Sequence, residues 1–350
     1  MQEVDTMGKL MRAFRAEQRK LWSKGSLLGC FVLMFVLSFA MSFFCSVIKG
    51  SGVDAGELIG VAHAENAFAQ PMNEGWRDKT AALIEEREDQ IKETAVLISE
   101  AEGVEKAVLE HEMAQLVRDK SVAQYRLDNN LTVWDWSGSY SLILCLWLMT
   151  PVAAAVAVIY SSDIFAGEFA RGTIRAVISR PVTRFKLYIA KMITSLMLGV
   201  LLMAVAYAAA GIGCGVLMNE SSGVYVGVLN GNVYSAAWST HVFMVFLCCC
   251  ASVAVSVALC AAVGNLTRSR GISAACAVLL VPVSILAGPM AQFADSGIIG
   301  VLLPFCCDLT VPLCDVPCSS GVNFAACAVS VGVHFLLFSY AGYAGFRRDI

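Results

Sequence analysis

The stretch SLLGCFVLMFVLSFAMSFFCSVI, residues 26–48, decides the fold, because it contains no Lys, Arg, Asp or Glu. At a rise of about 1.5 Å per residue, a helix of this length exceeds the roughly 30 Å hydrocarbon core of a bilayer. Four further uncharged stretches are at least as long, namely residues 137–160, 241–264, 271–293 and 322–346. A sixth, residues 187–218, contains only Lys191 near its start, and we expect that side chain to reach the membrane interface. The sequence therefore predicts an all-α bundle of six transmembrane helices.

The composition agrees with a polytopic membrane protein. Of 350 residues, 57% are hydrophobic and only 15% are charged, and the mean hydropathy is +0.67. A soluble domain of this size needs far less apolar sequence for its core. The net charge of −3 is small, so it gives no reason to expect a nucleic-acid partner.

Basic residues predict the orientation of the spans. They flank the spans in residues 1–25 and 161–186, between the fourth and fifth spans, and in the tail, residues 347–350. The loops 219–240 and 294–321 contain no Lys or Arg. By the positive-inside rule, both termini are expected to be cytoplasmic, and the chain to lie in the plasma (inner) membrane.

Residues 50–136, between the first and second spans, form one long polar region. From Glu74 to Asp128 they are rich in Ala, Glu, Lys, Gln and Leu, which favour helix. Ile84, Ile91 and Ile98 recur at seven-residue spacing, and an apolar stripe resumes after Gly103. We therefore expect an external domain built as an antiparallel helical hairpin. Composition leaves open whether it is a spacer or docks a partner.

The loop 161–186 predicts a short helix that lies along the cytoplasmic interface. Asp163 is expected to cap this helix, with Phe165 and Phe169 on one face. Glu168 and Arg171 present charge on another face, so the element is amphipathic.

The second half of this loop predicts a break and a new start. Gly172 permits the break, and Thr173 can begin a second short turn. Pro181 ends that turn, and Thr183 is placed to cap the third span. The predicted element is a helix, break, helix unit joined rigidly to two transmembrane helices.

This pattern resembles the signature of ABC type-2 (ABC-2) permeases, which reads E-x-x-x-G-T, then P-x-x-R, then K. The matching residues, in order, are Glu168, Gly172, Thr173, Pro181, Arg184 and Lys191. The basic start around Glu17, Lys20 and Leu21 resembles that family's entry segment, and the ending at residues 345–349 resembles its exit after a sixth span. The long insert after the first span departs from the family's minimal members.

The resemblance implies the membrane-spanning permease subunit of an ATP-driven exporter, whose short cytoplasmic helix couples to a groove in a separate ABC ATPase. ATPase coupling would then involve Glu168, Arg171, Gly172, Thr173, Pro181 and Arg184. Two ATPase copies and a second permease, identical or different, are implied as partners. ATP and Mg²⁺ would bind to the ATPase, with no cofactor on this chain. The sequence has no G-x-x-x-x-G-K-[ST] loop, so we expect a transporter subunit rather than an enzyme.

Four of the fourteen cysteines cluster in the predicted external loop 294–321, at Cys306, Cys307, Cys314 and Cys318. An oxidising exterior would permit one or two disulfides, which we favour. The alternative is a metal site formed by Cys314 and Cys318 with nearby aspartates. The ten other cysteines lie in predicted spans, where a thiol packs as a small apolar group.

Two other function classes are considered. A haem- or quinone-bearing electron-transfer subunit would use intramembrane histidines, and only His241 and His334 lie in predicted spans. A membrane scaffold or receptor would instead act through the external helical domain. The cargo is not specified by the sequence, although the apolar spans favour a hydrophobic or amphipathic one.

Overall fold

The computed structural model describes residues 2–51, 75–131, 137–172, 183–218, 224–229, 231–287, 302, 307–313 and 324–348. Most of these residues are helical. In chain order the elements are α1 (Gln2–Trp22), α2 (Ser26–Ser51), α3 (Trp76–Glu100), α4 (Gly103–Asp128), α5 (Ser137–Phe165), α6 (Gly167–Ala170), α7 (Arg184–Leu217), β1 (Val224–Leu229), β2 (Asn232–Ala237), α8 (Trp238–Thr267), α9 (Arg270–Val278), α10 (Leu280–Ala287), α11 (Thr310–Leu313) and α12 (Phe324–Arg347).

Within the described residues, five helices are long and apolar enough to cross a membrane. They are Ser26–Ile48, Gly138–Phe165, Arg184–Leu217, Trp238–Thr267 and Phe324–Arg347. They correspond to the first, second, third, fourth and sixth predicted spans. In the predicted span 271–293, the apolar helical stretch Arg270–Ser284 is too short to count as a membrane span by itself. Residues 288–293 lie outside the described part. A sixth span therefore stays a prediction.

Helix α5 is the centre of the bundle and packs against α2, α7, α8 and α9. Ala153, Ala154 and Ala157 on α5 are fully buried, which allows neighbouring backbones to approach closely. On α7, a Cβ added at Gly199 would lie 2.8 Å from Cγ1 of Val253 and 3.8 Å from Cβ of Ala157. Small side chains at these crossings therefore set the distances between three of the five helices.

Helices α3 and α4 run antiparallel and pack against each other. Lys120 on α4 lies 2.8 Å from Glu88 on α3, and Arg87 lies 3.9 Å from Asp119. Gly103, at the start of α4, has a φ of +61°, which favours glycine at the turn between the helices. The location of this pair outside the membrane stays a prediction.

A β-hairpin that the sequence analysis did not anticipate follows α7. Strands β1 and β2 pair antiparallel in the register Leu229↔Asn232 to Val224↔Ala237. Gly231 has a φ of +80°, and the sequence Asn230-Gly231 is the residue pair that a two-residue hairpin turn favours. The hairpin touches the helical pair, since Tyr125 Oη on α4 lies 3.2 Å from Oγ of Ser235.

Residues 307–310 and 313, part of the predicted external loop 294–321, are buried. The indole N–H of Trp147 donates to Oδ2 of Asp308 at 2.6 Å, and Asp308 N donates to Oγ of Ser284 at 3.1 Å. The hydroxyl of Ser252 donates to the carbonyl oxygen of Cys307 at 2.5 Å. A short polar segment therefore enters between helices α5, α8 and α10.

The depth of this segment follows from helix geometry. Trp147 on α5 lies about 24 Å along the helix axis from Asp163. Ser252 on α8 lies about 23 Å from Thr267, and Ser284 lies about 21 Å from Arg270. Asp308 therefore lies between the helices, away from the end of the bundle that carries Asp163, Thr267 and Arg270. The described part of the loop 294–321 thus packs against helices, and its location on the external side of the membrane stays a prediction.

Asp308→Ala should destabilise the protein. The substitution leaves the Trp147 indole N–H and the Thr310 backbone N–H and hydroxyl, which Oδ1 accepts at 3.0 and 2.5 Å, without their buried acceptor. A loss of about 1–3 kcal/mol of stability is expected. Thermal unfolding in detergent, followed by tryptophan fluorescence, measures it. Asp308→Asn keeps one carbonyl acceptor and should lose less, and equal midpoints for wild type and the alanine variant would contradict the burial described here.

Candidate functional site

Glu168 is buried at the start of the loop that the sequence singles out. It lies on α6, a single turn that follows α5 directly, and is only 6% exposed. The Nζ of Lys20 lies 2.6 Å from its Oε1, and the Nζ of Lys191 lies 3.0 Å from its Oε2. Its carboxylate thus faces into the protein between two ammonium groups.

Glu17 completes a cluster of four charges. Its Oε1 accepts a hydrogen bond from Lys20 at 3.1 Å, and its Oε2 lies 3.7 Å from the Nζ of Lys191. We call Glu17, Lys20, Glu168 and Lys191 the four-charge cluster. Each carboxylate contacts both lysines, so the two negative and two positive charges alternate. The cluster joins α1, α6 and α7.

The alternating charges offset the effect of burial on the pKa values of Glu168 and Lys20. Burial by itself would raise the pKa of Glu168, but the ammonium groups of Lys191 and Lys20 hold it below its ordinary value. Burial would likewise lower the pKa of Lys20, but the carboxylates of Glu168 and Glu17 hold it above its ordinary value. The cluster has no net charge, which limits the cost of removing it from water.

Lys191 is fully buried, so the expectation that its side chain reaches the membrane interface is wrong. Besides the two carboxylates, its ammonium donates to the carbonyl oxygen of Ile164 at 2.8 Å. Helix α1 covers this position because Ala13, Glu17 and Leu21, spaced four apart, form its buried face against α7. The lysine therefore finds its charge partners without leaving the protein.

A second charged group, Asp163, lies beside the cluster at the end of α5. Its Oδ1 accepts a hydrogen bond from Arg171 and forms an ion pair with Arg270, each at 3.1 Å, and Lys24 pairs with its Oδ2. We call Asp163 with these three cations the Asp163 hub. The predicted capping role for Asp163 is wrong, because the residue before α6 is Ala166 and makes no side-chain cap. Asp163 instead joins the α1–α2 connection, α6 and α9.

Two glycines shape this loop. A Cβ at Gly167 would lie 2.5 Å from Oδ1 of Asp163 and 3.1 Å from Nη2 of Arg171, so a larger residue would displace this ion pair. Gly172 has a φ of +69° and follows the end of α6, so the predicted break is found there. The sequence analysis did not identify Gly167, whose only sequence signal is its position within the charged loop.

The apolar face of the loop packs as predicted. Phe165 lies 5.9 Å from the ring of Tyr188 on α7, and Phe169 meets Phe346 on α12 edge to face at 6.2 Å. The hydroxyl of Tyr188 donates to the carbonyl oxygen of Ser339 at 2.8 Å, which ties α7 to α12. The short helix is therefore fixed by charge on one side and by aromatic rings on the other.

The remaining predicted residues are placed as follows. Arg171 has a half-exposed side chain, and Arg184 donates from Nη1 to the carbonyl oxygen of Arg347 at 2.8 Å. Thr183 caps α7 as predicted, since its Oγ1 accepts from the N–H of Lys186 at 3.4 Å. The predictions for Thr173 and Pro181 lie outside the described residues.

The predicted cysteine and histidine sites are only partly described. Cys307 is buried, whereas residues 306, 314 and 318 lie outside the described part, so the disulfide stays a prediction. In the described ranges, no group of three His, Cys, Asp or Glu side chains is arranged to hold a metal ion. His241 stacks on Tyr225 at 3.6 Å, and His334 Nδ1 lies 2.8 Å from the carbonyl oxygen of Ser330.

The ion pairs of this site hold several helices together. The four-charge cluster and the Asp163 hub fasten α6 to α1, α7 and α9 through interactions that a small displacement would separate. Charge separation in a poorly hydrated environment is costly, so these elements are expected to move together.

Comparison with known proteins agrees with this arrangement. Residues 11–299 match the model of a family described as ABC-2 family transporter protein. The Uncharacterized protein YhcI of Bacillus subtilis (strain 168) is 27% identical over 158 residues, which cover 43% of this chain and 44% of that protein. This similarity thus spans less than half of the relative. The family match covers both charge groups and most of the apolar helices, and the chain therefore belongs to the ABC-2 family of transporter membrane proteins.

Proposed function

We propose that the chain is the membrane-spanning permease of an ATP-driven ABC exporter, powered by ATP hydrolysis in a separate ATPase chain. The four-charge cluster is the observation that carries this proposal. It connects α6, in the loop that resembles the family's coupling segment, to one membrane span and to the amphipathic helix α1.

The cluster provides a path for force. A push on α6 would either move α7 and α1 with it or pull Glu168 away from Lys191 and Lys20. The second outcome leaves buried charges without partners, at a cost of about 3–5 kcal/mol. Rigid displacement of α7 is therefore favoured, and α7 is one of the candidate membrane spans.

The geometry divides the predicted coupling residues into two roles. The resemblance implies a direct ATPase contact for Glu168, but its burial favours a positioning role inside the permease. Arg171 is 53% exposed and is the better candidate for a contact with the ATPase. Gly172 would supply the bend, Thr173 and Pro181 the second half of the coupling element, and Arg184 the start of the moving span.

The proposed assembly contains two ATPase subunits and two permeases, as a homodimer or a heterodimer. ATP and Mg²⁺ would bind to the ATPases. Six spans, with both termini in the cytoplasm and the α3–α4 pair outside, complete the proposal for the plasma membrane. The basic flanks support this orientation, since Lys20, Lys24, Arg171, Arg184 and Arg270 all lie at one end of the bundle.

Arg171→Gln should weaken ATPase capture without unfolding the permease. Asp163 keeps Lys24 and Arg270 as partners, so the hub survives the change. The measurement is affinity purification of the tagged chain from cells that express it naturally, with quantification of the copurified ATPase. A loss of roughly threefold to tenfold is expected for one charged contact.

The matched control is Arg77→Gln on α3, which is predicted to face the opposite side of the membrane. It should capture as much ATPase as the wild type. If the wild type captures no ATPase and retains another protein through the α3–α4 pair, the exporter proposal fails and a scaffold is favoured.

Glu168→Gln and Lys191→Met should be strongly coupled. Each single change leaves an uncompensated charge in the cluster, whereas the double variant leaves Glu17 and Lys20 as a neutral pair. A double-mutant cycle on thermal stability should give a coupling of about 0.5–3 kcal/mol. The exposed pair Asp89 and Lys92 on α3 is the matched control and should show no measurable coupling.

The same variants distinguish positioning from mere stability. In complexes with the ATPase, Glu168→Gln should still capture the ATPase, yet the captured enzyme should hydrolyse ATP at the rate of the isolated subunit. Unchanged regulation of ATP turnover in this variant would remove Glu168 from the coupling path, even if stability falls.

A further inference from the structure

An open groove of about 460 Å³ lies at the C-terminal end of α12. Its lining consists of Tyr340, Tyr343, Ala344, Arg347 and Arg348. The start of α7 borders it, because Arg184 bonds the carbonyl oxygen of Arg347 at 2.8 Å and the ring of Phe185 meets Tyr343 edge to face at 5.3 Å.

The positive charge of this groove is not neutralised by acidic side chains among the described residues. Arg347 and Arg348 are exposed and form no ion pair within that part of the chain. The cations of the four-charge cluster and the Asp163 hub differ from these two arginines, because each of them contacts a carboxylate. They are Lys20, Lys24, Arg171, Lys191 and Arg270. An anionic ligand is therefore the chemically complementary occupant.

An apolar stripe leads along α12 into the groove. Five side chains that recur with helical periodicity, each between 48% and 72% exposed, form it: Val329, Val333, Leu336, Leu337 and Tyr340. The stripe runs about 16 Å along the helix, close to the thickness of one leaflet in a core of roughly 30 Å. Only 11% of the α12 window is buried, so most of this candidate span faces away from the rest of the chain.

The order of apolar, tyrosine and arginine side chains along α12 matches a lipid with an anionic headgroup. Along α12 the exposed apolar side chains come first, the tyrosines next and the arginines last, which is the order expected from a hydrocarbon core through its aromatic interface to the headgroups. Guanidinium groups bind phosphate through paired N–H donors, and tyrosine hydroxyls can donate further bonds. A free anion would use the arginines but not the stripe.

We propose that this groove binds the phosphate headgroup of an anionic membrane lipid, with its acyl chain lying along the stripe of α12. Membrane lipid and soluble phosphate share the headgroup chemistry, and the adjoining stripe favours the lipid. The groove borders the start of α7, but lipid binding does not require the ATPase, so it can be tested on the purified permease by itself.

The test is lipid retention measured by native mass spectrometry. The purified chain is reconstituted in phosphatidylcholine bilayers with or without phosphatidylglycerol, then extracted. The wild type should retain phosphatidylglycerol in preference to phosphatidylcholine. The double variant Arg347→Gln/Arg348→Gln should lose at least roughly tenfold of that preference, since each cation near an anionic headgroup contributes to binding.

A matched double variant, Arg12→Gln/Arg15→Gln, removes the same charge from α1 at exposed positions. It should change retention by less than about twofold, because the lost charge is not at the groove. Equal losses in the two double variants would show a non-specific surface-charge effect and overturn the site. Equal unfolding midpoints for all variants in phosphatidylcholine establish that folding is unaffected.

Two further outcomes would also overturn the proposal. If inorganic phosphate displaces phosphatidylglycerol from the wild type at matched concentration, the groove serves a soluble anion. If Leu336→Cys forms disulfide-linked dimers efficiently in membranes, a second copy of this chain covers the stripe. Retention that withstands phosphate, with no such crosslink, supports the lipid site.

Discussion

The ion pair between Lys191 and Glu168 is the constraint on which the arrangement of this loop depends. An ammonium buried at the start of a membrane span must have a negative partner, because the cost of an unpaired charge there would be several kcal/mol. Glu168 can reach it only if α6 turns back directly after α5. Two lysines around one carboxylate then need a second acid, and Glu17 on α1 supplies it. The position of the N-terminal helix thus follows from the burial of one lysine.

Local sequence signals predicted the local features of this region. Thr183 caps α7 and Gly172 breaks the chain after α6, because each effect depends on one residue and its immediate neighbours. Asp163 shows the limit of such signals. A carboxylate shortly before a short helix is a good N-cap by its sequence position. Here it forms ion pairs with three cations instead of capping the helix. Ion pairs between residues far apart in the sequence produce no periodic pattern, so these contacts could not be predicted from it.

The two elements that the sequence did not reveal owe their stability to tertiary contacts. The segment around Asp308 reads as a polar loop, and its burial depends on donors and acceptors from three separate helices. The β-hairpin has a turn signal in Asn230-Gly231, but it lies in a short loop of a chain dominated by apolar helices. Its strands are held by Tyr225, whose ring stacks on His241 of α8. Long apolar runs were predictable because length alone identifies them.

The charges of this protein fall into two groups with different consequences. Those of the four-charge cluster and the Asp163 hub contact one another and fix the positions of helices. Arg347 and Arg348 contact no acidic side chain in the described ranges and are open to an external anion. Arg184 connects the two groups, because it holds the backbone of Arg347 from the first residue of α7, about 10 Å along the helix from Lys191. A lipid in the groove and an ATPase at α6 would therefore act on the same helix, at its first turns.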